Sequence, residues 1–324
     1  MITLLIIIFV LGYICIAAEH TIKINKAATA LITGVLCWVV YINATENKEL
    51  VTEQLTEHLG ELAGILFFLL GAMTIVELID AHNGFEIITS RINETNKRKL
   101  LWTVSLITFF LSPLLDNLTT TIVMISMVRK FVKSPEDRLY FTGMIVIASN
   151  AGGAWSPIGD VTTTMLWIGG QVTPAKIISS LFLPSLVCML VPLSVLSYQL
   201  KGNVQRPEKD DSSLAPDITA MQQKIIIFSG ILILILVPVF KTITHLPPYM
   251  GILIGLGLLW IITEMIHGKK EDENRQALSV AYALQKIDTP SILFFLGILL
   301  SVAALQLTGV LSGLAAWMAV HIAN

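Results

Sequence analysis

Charge is scarce in this chain. Of its 324 residues only 14% are Asp, Glu, Lys or Arg, against about 25% in an ordinary globular domain. Apolar residues make up 54% and the mean hydropathy is +0.76. A particle of this composition has too little polar surface to stay soluble, which excludes a cytosolic enzyme. Cysteine is nearly absent as well: Cys15, Cys37 and Cys188 are scattered through apolar stretches, so a secreted disulfide scaffold is excluded and packing is their expected role. A net charge of −2 on so apolar a chain argues against nucleic acid as a partner and against disorder. No loop carries a phosphate-binding glycine motif, so neither a nucleotide nor another cofactor is expected.

The remaining class is an all-α polytopic protein whose first partner is the lipid bilayer. Hydropathy places spans at 2–18, 27–42, 59–79, 175–200, 222–240, 249–266 and 290–308. The first stretch lacks a positively charged lead-in and is expected to be a span, not a cleaved signal. Cytoplasmic loops collect Lys and Arg. If the basic clusters at 23–26, 91–99, 129–138, 201–224 and 269–286 all face the cytoplasm, only Lys48, Lys176 and Lys241 lie outside. The acidic stretch 43–58, with Glu46, Glu49, Glu53 and Glu57, is then an outer loop.

Two apolar stretches have the wrong shape for a simple span. Residues 100–131 are flanked by basic clusters on both sides, and each half of about 14 residues rises only ~21 Å. A re-entrant hairpin turning near Pro113 to Asn117 satisfies both facts; the alternative is one long kinked helix. Residues 139–170 are interrupted by Asn150-Ala-Gly-Gly-Ala-Trp-Ser-Pro-Ile-Gly-Asp160, which predicts a discontinuous helix. Freed backbone at membrane depth is tolerated only against protein or a wet cavity, and broken helices are where transporters bind ions.

Ile65-Leu-Phe-Phe-Leu-Leu-Gly71 recurs as Ile292-Leu-Phe-Phe-Leu-Gly297, with opposite direction across the membrane on the charge-derived topology. This predicts an inverted repeat. Residues 1–200 form the first copy, 201–221 a cytoplasmic linker and 222–324 an incomplete second copy, so the chain is expected to be a fragment of a transporter of roughly 420 to 460 residues.

Asp116 is the sole charge in 100–128 and Asp160 the sole charge in 139–175. A carboxylate inside a span is costly and marks a functional site by default. Their surroundings echo each other, Asp116-Asn-Leu-Thr-Thr-Thr121 and Asp160-Val-Thr-Thr-Thr164. Helix capping accounts for the pattern. So does a hard-cation site built from carboxylates, the Asn117 and Asn150 amides and the Thr119, Thr120, Thr162 and Thr163 hydroxyls; the two are compatible. Burial favours the protonated carboxyl and a bound cation the ionised one, so such a cage can exchange H+ for Na+ or Li+, with Na+ at Asp116, Asn117, Asn150 and Asp160. Glu61, Glu77, Asp80 and His82 are read either as solvated interfacial groups or as a proton relay or pH sensor.

The combination resembles the NhaD-type sodium/proton antiporters of the ion transporter superfamily. The residues that carry the likeness are Glu61 with Ile65 to Glu77, Ser112-Pro-Leu-Leu-Asp-Asn-Leu-Thr-Thr120, and Ser149-Asn-Ala-Gly-Gly-Ala-Trp-Ser-Pro-Ile-Gly-Asp-Val-Thr-Thr-Thr164. The resemblance implies a homodimer in a bacterial inner membrane, serving sodium transport and pH homeostasis, with its ion site between hairpin tip and broken helix. It implies functional roles for Ser112, Asp116, Asn117, Asn150, Asp160, Thr162 and Thr163. The alternatives are a sodium-coupled carrier of a small anion, dicarboxylate or arsenite-like, and a non-transporting truncated membrane subunit. No intramembrane Lys or Arg is expected near either motif, and a buried acid at the hairpin tip repels an anion, which favours cation exchange.

Overall fold

The computed structural model describes residues 2–85, 87, 92, 94–205, 218–267 and 278–321. Most of the expected linker, 206–217, lies outside them, as do Arg91, Arg206, Lys209, Lys269, Lys270 and Arg275. Fourteen helices are seen among the described residues. In chain order they are α1 (Ile2–Ala17), α2 (Glu19–Ile22), α3 (Lys26–Ala44), α4 (Lys48–Ala81), α5 (Lys97–Leu115), α6 (Asn117–Phe131), α7 (Pro135–Ala154), α8 (Val161–Ile168), α9 (Pro174–Gln199), α10 (Ala220–Thr244), α11 (Pro248–His267), α12 (Val280–Lys286), α13 (Thr289–Leu307) and α14 (Val310–His321). Seven of them, α3, α4, α5, α9, α10, α11 and α13, are long and apolar enough to cross a membrane. The chain is therefore an all-α, multi-pass membrane protein.

Three boundaries differ from expectation. The acidic stretch 48–58 is helical, not a loop, and makes α4 a single helix of 34 residues. Lys and Glu are good helix formers and Glu49 in the first turn complements the helix dipole, so polarity alone does not end a helix. For the same reason α5 begins at Lys97, where Asn96 accepts from the Arg98 and Lys99 amides, and is 19 residues long instead of about 14. The first apolar helix is the shortest of the expected spans at 16 residues.

The chain divides into two compact units, Met1–Leu70 with Asp288–Asn324, and Gly71–Ile287. In the first, α3 and α13 cross closely. A Cβ on Gly34 would lie 2.7 Å from the Gly297 carbonyl oxygen, and one on Gly297 would lie 2.4 Å from the Ala30 carbonyl carbon. Small residues at a crossing let helix backbones approach where lipid gives no hydrophobic drive. Leu5, Cys37, Trp38, Leu62, Leu300 and Ala304 fill the core, and Trp38 Nε1 donates to the Leu300 carbonyl at 3.0 Å. Both copies of the Ile-Leu-Phe-Phe-Leu sequence lie in helices of this unit, apart from Gly71 at its edge.

In the second unit α5 and α6 pack together on α7, with α9 against α7 and α5, and α10 against α11. The contacts at one end fix the direction of each helix. Lys97 Nζ lies 2.7 Å from Asp137 Oδ2, so the starts of α5 and α7 meet. Arg138 Nε donates to the Val132 carbonyl at 2.6 Å, bringing the end of α6 to the same place. Arg98 Nε donates to the Leu200 carbonyl at 2.9 Å, which adds the end of α9. The chain thus leaves this base along α5, turns at Asp116 and returns along α6. By the rise of a helix the turn lies about 28 Å from the base along α5, whereas α9 extends about 39 Å.

Candidate functional site

The turn and the break are built by the residues that lie at them. Asp116 has φ +82° and ψ 160°, a backbone region that is essentially glycine's and costs a side-chain-bearing residue about 1–3 kcal/mol. It is held there by what it caps: Oδ1 accepts from the Thr119 amide at 2.9 Å and Oδ2 from the Thr119 hydroxyl at 2.8 Å. Asp160 does the same for α8, accepting the Thr162 amide at 2.8 Å and the Thr162 hydroxyl on Oδ1. Capping by both aspartates is thus a structural fact.

Between α7 and α8 the chain is not helical from 155 to 160. Glycines let this segment touch the hairpin. A Cβ on Gly152 would meet the Phe109 carbonyl oxygen at 2.4 Å, one on Gly159 would meet Pro113 Cα at 2.7 Å, and one on Gly153 would fall 1.8 Å from Asn117 Oδ1. Ser156 Oγ donates to the Pro113 carbonyl at 2.8 Å, and the Trp155 ring packs between those of Phe109 and Phe182.

Asn117 joins the two halves. Its Nδ2 donates to Asp160 Oδ2 at 2.6 Å and lies 3.4 Å from Asn150 Oδ1. Its Oδ1 lies 3.1 Å from Ser112 Oγ, which donates to the Ser149 carbonyl at 2.6 Å. Thr121 Oγ1 bonds Ser149 Oγ at 2.7 Å, and Thr163 Oγ1 donates to the Ser156 carbonyl at 2.7 Å. Asp116, Asn117 and Asp160 are half-buried, Ser112, Thr120 and Thr163 buried, and Asn150 and Thr162 exposed.

Of the residues named from sequence, Ser112, Asn117, Asn150, Asp160, Thr162 and Thr163 therefore share one bonded network. Asp116 and Thr119 bond each other beside it. The Thr120 hydroxyl is buried without a protein partner. Ser149, Ser156 and Thr121 belong to the network too; the first two lie inside the glycine-rich motif, which was the available signal.

Glu61, Glu77, Asp80 and His82 do not join it. Glu61 lies in the first unit, 3.4 Å from His58. Glu77 lies 3.9 Å from Lys286 Nζ. His82 is fully buried, with Nδ1 2.7 Å from the Leu78 carbonyl and Nε2 2.9 Å from His267 Nε2. His267, at the end of α11, gave no sequence signal because the pairing is purely tertiary.

Chemically the site is an oxygen cage. Two helix N-termini alone attract an anion, but each here already carries a carboxylate. Among the described residues no ion pair reaches either aspartate, and no trio of His, Cys, Asp or Glu is placed to hold a metal ion. Two carboxylates, two amides and several hydroxyls suit a monovalent hard cation. A basic side chain lies beyond the second motif: Lys241 Nζ donates to the Trp167 carbonyl at 3.2 Å. It sits at the far end of α8, about 12 Å from Asp160 by helix rise, and so leaves the carboxylates uncompensated.

A family model described as citrate transporter matches residues 4–323. The chain is 48% identical to sodium/proton antiporter 1 of Arabidopsis thaliana over 98% of its own length and 55% of that protein's. It is 44% identical to sodium/proton antiporter 2 of Arabidopsis thaliana, over 98% and 75%. It is 30% identical to the Na(+)/H(+) antiporter NhaD of Vibrio cholerae, over 94% and 68%. The chain thus spans about half the length of the first of these relatives and more of the others. With one family model covering nearly every residue and relatives named as antiporters in plants and bacteria, the chain belongs to the citrate transporter family of membrane transporters, among its NhaD-type sodium/proton antiporters.

Proposed function

We propose that this protein exchanges Na+ or Li+ for H+ across its membrane, with Asp116 and Asp160 as the coupling carboxylates. The observation that carries this is the Asn117 bridge: the groups that would ligate a cation now bond one another across the gap between hairpin tip and broken helix. The Asn117 amide donates where a cation would be held. Turning that amide over replaces an N–H with an oxygen ligand beside Asp160 and Asn150 and points the N–H group toward Ser112. A proton on either carboxylate and a cation in the cage exclude one another by charge, and exclusion at one site is enough to couple two opposed fluxes.

The hairpin is re-entrant on this proposal, entering and leaving on the cytoplasmic side. Support comes from the base, where Lys97, Arg98, Lys133 and Arg138 gather with the returning end of α6. The protein works as a homodimer in a bacterial inner membrane; support for that is the resemblance to the antiporters.

The test uses the full protein in everted vesicles with a pH-sensitive dye. Na+ and Li+ are expected to dissipate a preformed proton gradient, while K+, succinate and citrate leave it intact. A gradient that responds to an anion and not to Na+ would falsify the antiport assignment.

A further inference from the structure

Lys241 has a position that the exchange mechanism does not by itself require. It is the single charged residue between Lys224 and the end of α10 at Thr244. A lysine near a helix end in a membrane ordinarily extends its ammonium toward the interface and water. Here Nζ, on a half-buried side chain, donates to the Trp167 carbonyl at 3.2 Å and stands 5.0 Å from the centre of the Trp167 ring. Trp167 is itself buried, 2% exposed.

The partner element gives this contact its meaning. Helix α8 has eight residues, a rise of about 12 Å. Asp160 caps one end of it, and Trp167 lies in its last turn at the other. The last carbonyls are also closed by the loop: Gly169 bonds Met165 and Gly170, at φ +72°, bonds Trp167. A helix this short, with a non-helical segment before it, has little stability of its own. It is fixed where its two ends are fixed. At the first end Asp160 meets Asn117 at 2.6 Å, so any slide or tilt of α8 changes that contact between the two halves of the site. At the second end the ammonium sits where the negative end of the helix dipole favours a cation, and over a ring face that favours one as well.

We propose that Lys241 is a positioning residue for the ion site: by clamping the C-terminal end of α8 to α10, it sets where Asp160 stands against Asn117. Lys241 touches no ion. It acts through the half-helix, so its removal changes how well the cage is assembled and not how fast an assembled cage turns over.

The transport arm of the test rests on the antiport proposal, and a second arm does not. Purified full protein and its Lys241→Met and Lys241→Arg variants are reconstituted in liposomes, and Na+-driven proton movement is measured against Na+ concentration. Met keeps the apolar stem over Trp167 and removes the charge. It is expected to raise the Na+ half-saturation by about fivefold to tenfold while the maximal rate changes less than about twofold. Arg, which donates to the carbonyl and stacks on the ring, is expected to restore half-saturation to within about twofold. In parallel, hydrogen exchange followed by mass spectrometry reads the amides of 161–168. Exchange there is expected to be about tenfold faster in the Met variant and unchanged in the Arg variant. If the Met variant matches the parent in exchange over 161–168, or the Met and Arg variants speed it equally, the clamp is overturned whatever the transport shows. If exchange shifts as expected but half-saturation does not, Lys241 holds α8 without positioning the ion site and the proposal fails. If the unmodified protein moves no Na+, the antiport assignment fails separately, and hydrogen exchange alone decides the clamp.

Discussion

The α3–α13 crossing and the hairpin against the broken helix are assembled by the same device and differ in what they enclose. Both depend on glycines that bring backbone within contact distance of backbone, Gly34 and Gly297 in one, Gly152, Gly153 and Gly159 in the other. At the crossing the surrounding space is apolar, filled by Cys37, Leu300 and Ala304, and one indole bond from Trp38 adds specificity. At the hairpin the approach delivers carboxylates, amides and hydroxyls to one another, with both helix termini capped from inside the gap. Apolar packing loses free energy when something is removed and gains little from rearranging. A bonded polar network has alternative partners of similar energy, so it can be remade around an ion. Close approach is therefore structural in the first region and functional in the second.

Removing charge from the polar region should have the largest effect. Asp160→Asn and Asp116→Asn each keep the shape and one capping oxygen but cannot hold a titratable proton. Each is expected to reduce Na+/H+ exchange at least about a hundredfold, equivalent to roughly 2.8 kcal/mol, with insertion and detergent-solubilised yield unchanged. Dye-monitored exchange beside a membrane-fraction blot separates the two. Retained exchange in either variant removes that aspartate from the coupling role. No substitution in the α3–α13 core is expected to show that pattern.

The two regions also differ in how far the sequence reveals them. The breaks were legible because they carry local signals: Asp116 and Asp160 are lone charges in apolar stretches, with Pro113 before one and three glycines and Pro157 before the other. Both helix interruptions fall where those residues lie. Helix starts were less legible. Hydropathy stops at the first charge, but Lys48, Glu49, Lys97 and Arg98 continue a helix readily, so α4 and α5 run longer than their apolar parts. Pairings were legible only as the grouping of Asn117 with Asp160 at one site, not as contacts. Asn117 meets Asp160, His82 meets His267 and Lys241 meets Trp167 only because helices distant in sequence pack side by side, and no local period encodes which ones do.

Adding a methyl group to each region tests the comparison more sharply than removing charge. At Gly153 the new Cβ would fall 1.8 Å from the Asn117 amide oxygen, the end of a movable side chain, and 2.5 Å from the Gly159 carbonyl oxygen. Gly153→Ala is therefore expected to displace the bridge and raise the Na+ half-saturation by about tenfold, beside an overpacking cost of about 1–3 kcal/mol against the Gly159 backbone. At Gly297 the new Cβ would lie 2.4 Å from backbone of Ala30, which cannot rotate away. Gly297→Ala is expected to cost about 1–3 kcal/mol by overpacking, lowering the melting temperature while the protein that remains folded keeps its Na+ affinity. Thermal melts in detergent with Na+ titrations on the same samples read both quantities. If both alanines act on stability alone, the polar contact is merely another crossing.

The smallest effect is expected from the Trp38 indole bond of the apolar region. Trp38→Phe removes the indole donor to the Leu300 carbonyl and keeps most of the ring that packs beside Leu300. That carbonyl is a backbone group inside α13 and retains its own helical partner, so no buried acceptor is stranded. What is lost is one neutral hydrogen bond, of about 0.5–1.5 kcal/mol, together with the smaller volume of the phenyl ring. The melting temperature should fall by a few degrees at most, and the Na+ half-saturation should stay at its parent value. A change in half-saturation without a change in melting would mean that the α3–α13 crossing adjusts the ion site. The distinction drawn between the two regions would then be wrong, because close approach in both would serve transport.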